Sequence, residues 1–152
     1  MADVLYAPPA RNTTGGVDAF GYRALFSNTT GGGNAAFGIQ ALTTNTTGAS
    51  NVAMGQSALQ NNSTGNFNTG IGYNALLSTT VSSNTAVGHQ AGYSNTTGAD
   101  NNAFGYLALY SNTTGVQNTA VGNGQYGASY GVLARNTTGS ANTGLGTSAL
   151  NS

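Results

Sequence analysis

The sequence predicts an all-β chain, a parallel β-solenoid (β-roll) of about eight 17-residue coils. Three observations carry this prediction. Glycine recurs at Gly21, Gly38, Gly55, Gly72, Gly88, Gly105, Gly122 and Gly146, with gaps of 17, 17, 17, 16, 17, 17 and 24 residues. A turn-like Asn-Thr-Thr-Gly tetrad holds one phase of that repeat, opening at Asn12, Asn28, Asn45, Asn95, Asn112 and Asn136, with Asn62 starting an Asn-Ser-Thr-Gly copy. Finally, 24 Gly, 20 Asn and 22 Thr among 152 residues disfavour helix, since all three types are poor helix formers. A unit this short cannot fold as a helical hairpin or bury an apolar face alone, so it must stack on its neighbours.

The elements follow in chain order. Residues 1–11 fit no phase of the repeat, and Pro8-Pro9 favours an extended N-terminal arm. That arm, with Leu5, Tyr6, Pro8 and Pro9, is expected to reach a neighbouring subunit and cover its edge by strand addition. Residues 12–152 form the solenoid domain. An Asn stands four residues before each marker glycine from Asn34 to Asn142, where stacked amides can form a ladder from coil to coil. A small residue and a large apolar one then precede the marker, as in Ala36-Phe37, Ala53-Met54 and Gly70-Ile71. The pair is expected to form a short strand and one inward wall of a narrow interior. Ala-Leu, three and four residues after the marker, forms the other wall, with Ala91-Gly92 and Val132-Leu133 as departures. The tetrad closes the coil as a corner.

Two irregularities interrupt the pattern. At Thr79-Thr80-Val81-Ser82 the tetrad loses its Asn, its Gly and one residue, which reads as a variant corner. Between Gly122 and Gly146 seven extra residues imply an inserted loop at about 123–130. That loop is either a plain surface excursion or a contact loop anchored by Tyr126 and Tyr130, since Tyr favours interfaces. The chain's last residues, Gly146 to Ser152, open a new unit, and its first tetrad begins at Asn12. Ser152 of one copy followed in space by Asn12 of another would complete a coil. Leu5, Tyr6, Pro8, Pro9, Asn12, Leu150 and Ser152 are therefore the candidate subunit contacts.

Composition bounds the chemistry. Asp3, Asp18, Asp100, Arg11, Arg23 and Arg135 are the formal charges, and they cancel. Three arginines cannot make the basic face that nucleic acid requires. No cysteine is present to ligate zinc or form a disulfide. No apolar run has membrane-span length, and the N-terminal residues lack a secretory core. His89 sits one residue after its marker, a freely varied phase that suggests the surface. No nucleophile motif accompanies it or Asp18 and Asp100, so no enzyme activity is expected. Three scattered aspartates cannot build calcium cages, so neither metal nor cofactor is expected. The tetrads also match glycosylation sequons, although turn geometry explains their phase. Tyr22, Tyr73 and Tyr106 share one phase, while Phe26, Tyr93 and Tyr110 share another. Both rows suit subunit packing or a carbohydrate-binding stripe. Ice binding is a weaker reading, because adjacent Thr-Thr on extended chain face opposite ways.

The segments Asn84-Thr-Ala-Val-Gly-His-Gln-Ala91 and Asn118-Thr-Ala-Val-Gly122, alternating with Asn-Thr-Thr-Gly, resemble repeats of phage tail fibre and trimeric autotransporter adhesin head proteins. The resemblance covers about residues 12–152. It implies a left-handed parallel β-roll, usually built from shorter repeats, and a structural role on a virion surface or outside the cell. Within these residues no stalk, membrane anchor or fibre chaperone pattern accompanies it. The expectation is a self-assembling fibre subunit that stacks head to tail on copies of itself. The alternative is a trimeric fibre or adhesin segment that binds a host glycan or cell-surface receptor through Tyr22, Tyr73, Tyr106 or the 123–130 loop.

Overall fold

The computed structural model describes residues 15–124 and 131–150. Eight three-residue strands run β1 (Asp18–Phe20), β2 (Ala35–Phe37), β3 (Val52–Met54), β4 (Thr69–Ile71), β5 (Thr85–Val87), β6 (Asn102–Phe104), β7 (Thr119–Val121) and β8 (Thr143–Leu145). They form one parallel sheet in the order β1 to β8, and no helix occurs among the described residues. Ala36 pairs with Ala53 and Ala53 with Gly70, the 17-residue step expected of a β-solenoid. The short coil keeps this alignment with a 16-residue step, Thr69 to Thr85. The long one keeps it with a 24-residue step, Thr119 to Thr143.

Pairing between coils continues past the strands. Around one coil, Gln40 N–H donates to Tyr22 O at 2.8 Å and Leu42 N–H to Ala58 O at 3.1 Å. At the corner, Thr46 N–H donates to Ser63 O at 2.8 Å. Within the coil, Ala41 N–H closes on Gly38 O and Thr43 N–H on Gln40 O, two overlapping turns whose third residues, Gln40 and Leu42, have φ of 59° and 50°. Positive φ at the third residue is the type II pattern, which ordinarily selects glycine. Here it selects leucine. Leu25, Leu42, Leu59, Leu76, Leu109 and Leu133 all lie in this left-handed region and are all buried. Left-handed backbone costs about 1–2 kcal/mol, and burying a leucine contributes about 1.5–3 kcal/mol. The side chain outweighs the strain, and the coil keeps its leucine.

The interior is narrow, as the sequence implies, but one wall differs from expectation. The small residue of each pre-marker pair points inward: Ala36, Ala53, Ala86 and Ala120 are fully buried. The large residue points out. Phe20, Phe37, Met54, Phe104, Val121 and Leu145 are exposed. A three-residue strand alternates faces, so only one of the two neighbours can face in, and the leucine of the opposite wall already occupies the space. Its reach is visible at Gly70, where an added Cβ would lie 3.1 Å from Leu59 Cγ. The marker glycines from Gly21 to Gly122 are required for close approach. Gly55 has φ of 126°, and a Cβ there would stand 2.7 Å from the carbonyl oxygen of Gly72 on the next coil.

Asparagine supplies the rest of the interior, as two ladders. In the first, Asn51 Nδ2 donates to Asn34 Oδ1 at 3.0 Å and to Gly65 O at 2.8 Å. Asn51 Oδ1 in turn accepts the Asn68 backbone N–H at 2.9 Å. The second ladder is built from the tetrads: Asn45 Nδ2 donates to Asn28 Oδ1 at 2.8 Å and to Gly48 O at 2.9 Å. A hydroxyl file runs beside it, with Thr46 Oγ1 donating to Ser63 O and Thr96 Oγ1 to Thr113 O.

Candidate functional site

Among the described residues no group of three or more His, Cys, Asp or Glu could hold a metal, and no helix is long and apolar enough to cross a membrane. His89 is exposed, as its varied phase suggested. Its ring stacks between Tyr73 at 5.2 Å and Tyr106 at 5.3 Å, so three successive coils carry one aromatic pile. Tyr22 shares that phase and is exposed, but Ile39 and Gln56 separate it from the pile. The second aromatic row is also only partly continuous. Tyr93 stacks on Tyr110 at 5.1 Å, while Phe26 lies apart beneath the Arg23 guanidinium, 4.7 Å from its ring centre.

Of the candidate subunit contacts, Leu150 alone is described. It holds the left-handed leucine position with φ of 52°, yet it is 57% exposed, because no described coil lies beyond it. Leu5, Tyr6, Pro8, Pro9, Asn12 and Ser152 lie outside the described residues, as do Tyr126 and Tyr130 of the loop. The flanks of that loop are described. Gly124 N–H donates to Tyr106 O and Leu109 N–H to Val132 O, so the excursion leaves and rejoins between two adjacent positions of the coil.

The tetrad asparagines from Asn28 to Asn112 are interior groups. Asn28, Asn45, Asn95 and Asn112 are at most 1% exposed. Each donates through Nδ2 to the carbonyl of the tetrad glycine, at 2.7 to 2.9 Å. Turn geometry accounts for the sequon pattern, and the atom that a glycan would modify is already committed. At the variant corner Thr79 takes the asparagine's place, and Asn95 Nδ2 donates to its Oγ1 at 3.4 Å, as long as the Asn62 to Asn45 rung. The Val81 carbonyl replaces that of the missing glycine, accepting from Asn68 Nδ2 at 2.7 Å.

Sequence reasoning missed the largest surface feature. The outward residues before the marker form an apolar stripe along the sheet, widened by Tyr22, Ile39 and Tyr73 of the row after it, where Gln56, His89, Asn123 and Thr147 interrupt. Alternation in so short a strand fits either face; the space already taken by leucine was the available signal. Compared with family models, curated proteins and solved structures, the chain matches none.

Proposed function

We propose that this chain is a non-enzymatic structural subunit of an extracellular or virion-associated fibre, joined head to tail with copies of itself. The observation behind this reading is the repetition of the contact between coils. Every step presents the same backbone donors and acceptors, in a sheet whose described edges are β1 and β8. Strand edges of this kind template pairing with a further chain. The amide ladders also have a direction. The Asn of each later coil donates to the one before it, as Asn51 does to Asn34 and Asn118 to Asn101. A second copy that extends the ladders must therefore stack in the same sense, head to tail. A near-neutral chain opposes such contacts with little repulsion.

A second reading has its own support. The Tyr73–His89–Tyr106 pile sets aromatic edges and polar ring atoms along the outside of three coils, groups that can meet the hydroxyls and C–H bonds of a sugar, and it favours a trimeric fibre or adhesin segment that binds a glycan. Electron microscopy of the purified chain separates the two. Head-to-tail assembly gives long filaments with an axial repeat of roughly 40 Å, eight coils at ~4.8 Å each. Discrete rods of threefold mass support the second reading, and a monomer that persists at high concentration overturns both.

A further inference from the structure

The apolar stripe on the sheet calls for a partner. Nine of its side chains, from Phe20 to Leu145, are between 38% and 68% exposed. At ~200 Å² for a large side chain, about half of it exposed, they present roughly 900 Å². That exceeds the ~300–600 Å² of the largest apolar patch on a typical monomer, and it reaches the ~800 Å² that each partner contributes to a stable interface.

The order of side chains along the stripe identifies the partner and its orientation. In a parallel pair related by a twofold axis along the rod, each coil faces its own copy. Phe104 and Tyr106 would then crowd against Phe104 and Tyr106, while Val121 and Asn123 would leave a gap. In an antiparallel pair, with the axis along the strands, the sheet reverses on itself and β1 faces β8. Phe37 then lies opposite Val121, Met54 opposite Phe104, and Ile71 opposite Val87. Large residues meet smaller ones along the stripe, the condition for even packing across facing sheets. The flanking row agrees at three of its four steps: Tyr22 meets Thr147, Ile39 meets Asn123 and Tyr106 meets Gln56, while at the centre Tyr73 meets the His89 ring.

We propose that two copies of this chain pair face to face through the stripe, antiparallel, as a twofold dimer of rods. The pairing rests on the fibre reading above for its setting, where it would join two head-to-tail strands of opposite direction, but its contacts are separate from the coil ends.

Site-specific cross-linking tests it cleanly, because the chain has no cysteine of its own. Phe37→Cys and Val121→Cys are both outward substitutions. The two variants, refolded together and treated with a short bis-maleimide, should give a product of doubled mass. Phe37→Cys alone should give none, since its two copies would stand ~24 Å apart, five strands at ~4.8 Å. Circular dichroism melting curves that match the unsubstituted chain exclude misfolding as the cause of a negative result. Cross-linking of Phe37→Cys to itself, or failure of the mixture to cross-link, overturns the pairing. The same samples viewed by microscopy keep the two readings distinct. Filaments without mixed cross-links sink the dimer alone, and mixed cross-links without filaments sink head-to-tail assembly alone.

Discussion

At the scale of single residues, the asparagine ladders set the protein's sensitivity. Asn51 is fully buried and has every polar atom engaged: Nδ2 with Asn34 Oδ1 and Gly65 O, Oδ1 with the Asn68 N–H. Leucine has the same branched outline, though it is larger, and would bury more apolar area, so a purely hydrophobic account expects Asn51→Leu to stabilise the fold. An orphaned partner in the interior argues the opposite: the Asn68 N–H loses its acceptor, whereas Asn34 Oδ1 keeps the Asn51 backbone N–H and Gly65 O keeps Asn62 Nδ2. An unsatisfied buried group costs about 1–3 kcal/mol, so the substitution should destabilise the fold by roughly that amount. Thr47→Ala, at an exposed tetrad position, should lie within about 0.5 kcal/mol of the parent. Urea denaturation of both variants makes the comparison. The ladder itself was legible, because asparagine held at one phase of a stacking repeat brings amide against amide, coil after coil. The left-handed leucines were not. Nothing in a leucine advertises positive φ, and only the packed coil reveals why Leu42 accepts a conformation that glycine would adopt freely.

At the scale of the element, each strand places one small residue inside and one large residue outside, and the two columns make opposite predictions. Leu59→Ala, opposite the sheet, empties a filled interior and should cost about 2–5 kcal/mol of stability. Phe104→Thr removes a bulkier side chain but from the outer face, where the smaller Val121 holds the same position in β7. Under dilute conditions it should change the unfolding free energy by less than about 0.5 kcal/mol. A Phe104→Thr variant as damaged as Leu59→Ala would show that the strand is turned the wrong way round. Three residues alternate too briefly for periodicity to fix their orientation, so the sequence left that face ambiguous. The constraint that fixed it is tertiary: leucine from the far wall reaches the strand, as its 3.1 Å approach to a Cβ at Gly70 shows.

At the scale of the whole molecule, the solenoid behaves as a line of near-identical units, each in contact with its neighbours. In such a line stability is close to a sum of unit and interface contributions, so a coil can be removed if the phase survives. Two excisions satisfy that condition. Removal of residues 55–71 deletes a regular coil and leaves Met54 followed by Gly72. Removal of residues 72–87 deletes the variant coil and leaves Ile71 followed by Gly88. The chains that remain differ in length by one residue, but the first keeps the fault at Thr79, whose hydroxyl stands where the other tetrads carry an amide. The second brings Asn62 beneath Asn95 and restores an unbroken file of amides. The chain without 72–87 should therefore be the more stable of the two by about 1 kcal/mol, the worth of one well-formed buried hydrogen bond. In a thermal scan that difference is a few degrees in Tm. Equal midpoints would mean that the amide file is a passenger on the backbone ladder. A higher midpoint for the chain that keeps Thr79 would mean that the variant corner is itself a stabilising joint.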